Sequence, residues 1–297
     1  MQEPKVFDEL LTTFEMALEK QRVQEGLSSV RPINEQLFFN YYFNPKNVYK
    51  GPQGSLFQIN NRILNLHDKK LRVSYINPLV SLDVMELEEV LHSLGQRDLI
   101  TMIQSDRHEG LEQLGFEAVV EHQICNIPSQ QLPEFDVKGI VLDVSAHHLN
   151  SVFQKYSQHF TGYFDRTVHD FERMKRDSHL QKGKIIGFMK DDQMVGYIRS
   201  IHHGSYVEVL ECCYDTSGTL LRLLSFVSRG ANRIIYHTNA SERIHKILPG
   251  VKIQNKVVML ARVNDKELFE RLFHIKIISS YSAFHAFSKP VLNTDFF

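Results

Sequence analysis

The stretch INPLVSLDVMELEEVL, residues 76–91, decides how the rest of the chain is read. Asn77-Pro78 ends an apolar run, because proline donates no ladder hydrogen bond and biases the preceding residue toward extended geometry. Beyond it Val84, Leu87, Val90, Leu91 and Leu94 recur at helical spacing, and Gly95 supplies a stop. A strand that passes straight into a helix can grip a phosphate if bare glycine backbone sits at the helix N-terminus. This one has neither glycine nor basic residue, and Asp83 brings a negative charge to the turn. Taken alone, the pattern predicts a well-capped helix, with Ser81 as N-cap and Asp83 and Glu86 favouring the first turn.

Upstream, SLFQIN, RILNL and LRVSYI are short β-like runs within residues 55–76, separated by Asn60-Asn61 and by HDKK. Both separators are plausible hairpin turns, so an antiparallel meander is expected. A polar passage with Asn44, Pro45, Gly51, Pro52 and Gly54 precedes it, and Phe7, Leu10, Leu11, Phe14 and Leu18 predict an amphipathic helix over residues 3–22. Downstream, DLITMIQ (98–104) reads as a buried strand, followed by a helical turn, a glycine and another strand up to residue 128.

PSQQLPEF, residues 128–135, carries two prolines and polar filler, and marks the expected domain boundary. A similar order follows it. KGIVLDV reads as a strand and HHLNSVFQKYSQHF as a helix. Residues 183–215 read as a three-strand meander turning at Asp191-Asp192 and Gly204. TSGTLLRLLSFVSRG is a helix capped by Thr216 or Ser217 and stopped by Gly230, and NRIIYHT is a buried strand. The architecture recurs without a repeat in sequence.

Composition bounds the function. The chain of 297 residues is 42% hydrophobic and 23% charged with 20 Phe, which describes a globular protein long enough for two cores. Lys plus Arg (34) nearly balance Asp plus Glu (35), so no net field draws it to nucleic acid or an anionic membrane. The acidic N-terminal stretch MQEPKVFDELL is unlike a signal peptide, no apolar run approaches a membrane span, and a cytoplasmic location is expected. Cys125, Cys212 and Cys213 lack paired spacing and read as reduced apolar residues. The pairs His147-His148 and His202-His203 lack the i, i+4 spacing that aims two rings at one metal, so no metal site is expected.

Taken together, the meander, helix, central strand and EGLEQLGFEAVVEHQICNIPSQQLP (109–133) resemble the GNAT acetyltransferase fold. GKIIGFMKDDQMVGYIRS (183–200), VEVLECCYD (207–215), VVMLARVNDKELFE (257–270) and KPVLNTDFF (289–297) narrow the resemblance to the enhanced-intracellular-survival (Eis) type. That family has two fused GNAT domains and a sterol-carrier-like third. The resemblance implies an α+β fold with a mixed sheet: a first GNAT-like domain over residues 1–133, a second over 134–264, and 265–297 as a helix, KELFERLF, and an apolar remnant of the third. It also implies acetyl-CoA as cofactor, a small-molecule amine or lysine as acceptor, and a homo-oligomer, for which a dimer is the commonest assembly.

The same resemblance assigns the coenzyme site to Ile76, Leu79, Val80, Ser81, Leu82, Asp83 and Val84. The family's Arg/Gln-x-x-Gly-x-Gly/Ala turn is absent from these positions, as are its tyrosine at Leu111 and any equivalent turn in YDTSGTLL (214–221). Tyr75 is the nearest phenol in sequence. In the Eis type the terminal carboxylate reaches the first site, which makes the carboxylate of Phe297 the candidate base. Three readings stay open: a degenerate acetyl-CoA site on a scaffold that binds a ligand or a protein partner, a working N-acetyltransferase, and an assembly module.

Overall fold

The structure is a computed structural model that describes residues 47–50, 55–78, 83–104 and 110–292. The expected helix over 3–22, loop residues Leu79, Val80, Ser81 and Leu82, and Phe296 and Phe297 lie outside these. Strands β1 (Val48–Lys50), β2 (Leu56–Leu66) and β3 (Lys69–Pro78) form an antiparallel set. The β2–β3 turn is His67-Asp68, both residues left-handed with φ of 48° and 63°, as a two-residue hairpin requires. Asn60-Asn61 makes no turn. The strand runs on through it, with Asn60 opposite Tyr75 and Asn61 opposite Ser74. A continuous ladder overrides the low strand propensity of asparagine, and Asn60 Oδ1 accepts from Gln58 Nε2 at 2.8 Å.

Helix α1 (Val84–Gly95) lays Leu87, Leu91 and Leu94 on Phe57, Ile76, Ile103 and Leu260. Strand β4 (Ile100–Gln104) runs parallel to β3, and β5 (Glu117–Pro128) ends the first half of the chain. Strand β6 is only Ile140–Val141, shorter than KGIVLDV suggested. The chain bends away at residues 142–143 to reach Ser145, whose side chain accepts from His148 N and caps α2 (Ala146–Ser157).

Strand β7 (Tyr163–Phe164) pairs with β2, and α3 (Val168–Leu180) follows, opened by a Thr167/Asp170 capping box. The meander is β8 (Lys184–Lys190), β9 (Gln193–His202) and β10 (Tyr206–Tyr214), turning at Asp191-Asp192. Thr216 caps α4 (Ser217–Val227). After it come β11 (Arg233–Asn239), α5 (Ile244–Ile247), β12 (Lys252–Val263), α6 (Lys266–Phe273) and α7 (Ser280–Phe284).

Among the described residues, all twelve strands join one mixed sheet in the order β1-β2-β3-β4-β12-β5-β11-β10-β9-β8-β6, with β7 on β2. The late strand β12 lies between the early strands β4 and β5, antiparallel to both. Strand alternation then divides its residues. Leu260 faces the α1 core, while Met259 and Ala261 join Ile100, Met102, Phe269, Phe273 and Phe284 beneath α6 and α7. Farther along, Ile198, Val207, Val209, Ile234 and Tyr236 pack on α4, and Ile185, Tyr197 and Cys213 pack under α2 and α3.

Phe269 is fully buried in the α6–α7 core. Replacing it with Ala should cost about 3–5 kcal/mol. Urea denaturation at neutral pH reads that loss, and a cost below about 1 kcal/mol would show that α6 does not anchor the sheet.

Candidate functional site

Helix α1 begins two residues later than the sequence pattern suggested. Its N-cap is Asp83, in extended geometry, and one carboxylate oxygen accepts from Met85 N at 2.9 Å and Glu86 N at 3.1 Å. Asp83 displaces Ser81 because an ionised cap adds charge stabilisation at the positive end of the helix. Asp83 N donates to Ser55 Oγ at 2.7 Å, and Ser55 N donates to Glu86 Oε2 at 3.1 Å. Glu86 is buried, so a second carboxylate lies inside the first turn.

The other predicted residues divide by face. Ile76 is buried in the α1 core, and Val84 lies against Gly110, where φ is +81° and an added Cβ would come within 2.6 Å of Val84 Cγ2. Tyr75, its side chain on the opposite face, donates from its hydroxyl to Gln104 Oε1 at 2.6 Å and packs edge-on to Phe164. Adjacent strand residues point to opposite faces, so Tyr75 and Ile76 cannot line one pocket. Leu111 is buried with Phe116 in the α1 core.

The corresponding place in the second half of the chain holds a carboxylate that the sequence reading missed. Parallel pairing of β10 with β11 stops at Val209 and Tyr236, a bulge follows at Val209/Glu211, and the strands continue to Tyr214 and Asn239. At this end Glu242 accepts hydrogen bonds from Tyr156 at 2.7 Å, Tyr214 at 3.0 Å, Tyr236 at 3.3 Å and Asn239 N at 3.3 Å, and from Thr238 Oγ1. Burial pushes the Glu242 carboxyl up, against the pull of those hydrogen bonds. Burial and the neighbouring carboxylate push the Tyr156, Tyr214 and Tyr236 phenols up as well, so they remain neutral donors. The one sequence signal was the spacing of Asn239 and Glu242, a capping box at a short turn.

A second buried network crosses the middle of the sheet. His122 Nε2 meets His237 Nδ1 at 3.0 Å, His237 Nε2 meets one oxygen of Glu208 at 3.1 Å, and His203 Nε2 meets the other at 3.0 Å. With the His237 Nε2–H donated to Glu208, its Nδ1 accepts from His122. The three cysteines are free and buried, and burial raises their thiols, Cys125 to about 12, which leaves them poor nucleophiles. Among the described residues, no group of three or more His, Cys, Asp and Glu could hold a metal ion, and no helix is long and apolar enough to cross a membrane.

The sheet order, the parallel β3–β4 and β10–β11 pairs and the helices beside them match the fold of solved GNAT-type structures. No family model and no curated protein matches the sequence. Solved structures are similar to it in fold. A probable N-acyltransferase of unknown function from Enterococcus faecalis V583 is similar at a TM-score of 0.68 and 13% identity, over 91% of this chain and 73% of that one. A GCN5-related N-acetyltransferase from Anabaena variabilis gives 0.66 at 12%, over 89% and 71%. Eis1 from Mycobacterium abscessus gives 0.60 at 10%, over 91% and 74%.

Histidine burial makes stability depend on pH. Burial, then His237 and Lys256, hold the His122 imidazolium well below its usual range; burial also lowers His67 and His285 against opposing carbonyl bonds from Ala283 and Val119. Their folded pKa values lie below the unfolded value of about 6.5, so they contribute stability above that pH, and it is lost as pH falls. Chemical denaturation at pH 7.5 and pH 5 should show a clear drop, and His122→Gln should reduce the difference; an equal drop in the variant would clear His122 of the effect.

Proposed function

We propose that this chain is a GNAT-fold protein whose coenzyme turn has degenerated, and that the fold now acts as a scaffold or ligand-binding protein. The observation that carries this reading is the start of α1. Met85 N and Glu86 N, the kind of donors a pyrophosphate would need there, are already held by Asp83, which is covalently attached and always present. Buried Glu86 places a second carboxyl group in the same turn. Each lost charge-assisted hydrogen bond is worth about 1.5–3 kcal/mol to an anionic ligand, and repulsion deepens the loss. The residues at this turn do not fit acetyl-CoA.

The domain reading fits the same proposal: GNAT-like units over residues 1–133 and 134–264, with β5 and β12 exchanged between them, and a short third segment over 265–297. A cytoplasmic location and a small-amine or protein ligand complete it. Acetyl transfer to a small amine or lysine is the second reading, favoured by the names of the similar structures. Under it, Tyr75 and the Phe297 carboxylate are the candidate acid and base.

Thermal denaturation separates the two. Acetyl-CoA at about 1 mM should leave the melting temperature unchanged, since a ligand stabilises only a state that it binds. A rise of several degrees would overturn the proposal. Asp83→Ala should cost about 1 kcal/mol of stability through loss of the cap, and it should also free the helix N–H groups. A measurable gain of binding to inorganic pyrophosphate in that variant is the expected mark of a blocked anion site.

A further inference from the structure

Away from the sites above, the far edge of the sheet has a gap with a defined shape. Strand β6 covers only Gly187 and Phe188 of β8, pairing Val141 with Gly187 and Ile140 with Phe188. Had the chain continued straight, residues 142–144 would have lain opposite Ile186, Ile185 and Lys184. It bends away instead, so that Ser145 can open α2. The vacated place is a cleft of about 360 Å³, within the range of ligand-binding clefts.

Its walls come from three elements. Residues 142–144 form one side, Lys184, Ile185 and Ile186 the sheet edge, and Lys175, Ser178 and His179 of α3 the other side. The α3 wall is held close at one end, because Gly183 N donates to Ser178 O at 2.7 Å; a Cβ on Gly183 would press within 3.0 Å of Ser200 O. Met189 N donates to Gly139 O, and alternation along the strand turns the backbone amide and carbonyl of Ile185 toward the same edge. The cleft thus offers a strand edge, apolar flooring from Val144 and Ile185 on the α3 face, and a cationic rim. Lys184 is exposed; Lys175 makes a 3.2 Å pair with Asp143, which is itself 96% exposed and easily displaced.

We infer that this cleft receives an extended acidic segment of a partner protein, which adds to the sheet as a strand continuing β6. Cross-strand neighbours share a face, so a side chain opposite Ile185 points toward α3 and meets Lys175 and His179. The next side chain, opposite Lys184, meets that lysine on the other face. Two adjacent acidic residues satisfy both positions, while the backbone pairs with Ile185. The inference is independent of whether a coenzyme binds at α1.

A fluorescent, capped peptide with two adjacent glutamates between valines is the probe, titrated against the full chain by anisotropy. Saturable binding with a Kd below about 1 mM is expected. Lys175→Glu with Lys184→Glu should weaken it by at least about fivefold while leaving the melting temperature in place, both lysines being at the surface. N-methylation of the amide of the glutamate opposite Ile185, tested on the unaltered protein, should weaken it similarly, since strand pairing needs that donor; the neighbouring glutamate's N–H faces away from the edge. Absence of saturable binding, or equal binding of the same peptide with lysines for glutamates, would overturn the inference. So would competition by free glutamate or inorganic phosphate at the peptide's own concentration, which would make the cleft a small-anion site. A dimer that dissociates in the double variant would instead seat a second copy of the chain on this edge, and would equally overturn it.

Discussion

The fold depends on one set of backbone pairings, those that hold β12 between β4 and β5. Without β12, the inner edge of β4 and one edge of β5 would expose unpaired amides and carbonyls in the middle of the molecule, at a cost no surrounding packing could offset. The same strand places Leu260 under α1 and Met259 and Ala261 under α6 and α7. Strand β5 does the reciprocal work, with Val119 and Val120 in the α6–α7 core and Cys125 and Ile127 in the α4 core. Two strands far apart in sequence therefore stitch three hydrophobic cores together. Such pairings close long loops before any contact rewards them, which favours slow folding.

Buried acids are the second organising feature. Glu86, Glu208 and Glu211 are buried and Glu242 is partly so, and each has partners: Ser55 N for Glu86, two imidazoles for Glu208, Arg166 and Tyr197 for Glu211, and three phenols for Glu242. An unpaired buried carboxylate would be far too costly, so each one fixes the position of the groups around it. Two of these clusters stand at the ends of the parallel strand pairs. The first closes the α1 turn with Asp83 above Glu86, and the second closes the β10–β11 end with Glu242.

Local chemistry was legible in the sequence where one short signal decided the outcome. Asp191-Asp192 marked its hairpin, Thr216 its cap, and the apolar spacing of Leu87, Leu91 and Leu94 its helix. Signals of composition without geometry failed. Asn60-Asn61 looked like a turn but was carried through by the ladder on both sides of it. Helix α3 escaped notice because only Phe171, Asp177 and Ser178 of its thirteen residues are buried, too few to leave an apolar stripe. At the candidate site, the absence of glycine was visible at once; that Asp83 itself serves as the cap was not, since Ser81 suits the same role. The Glu242 and His122 clusters were invisible for a different reason. Their members come from strands and turns up to 115 residues apart, and only the sheet order brings them together.

Interleaved strands also change what a broken chain would mean. A protease that cut between β5 and β6, within residues 132–139, would sever the covalent link but leave an early fragment and a late fragment each holding a strand lodged in the other's sheet. The pieces would migrate together until denatured, and neither would be expected to keep its shape alone.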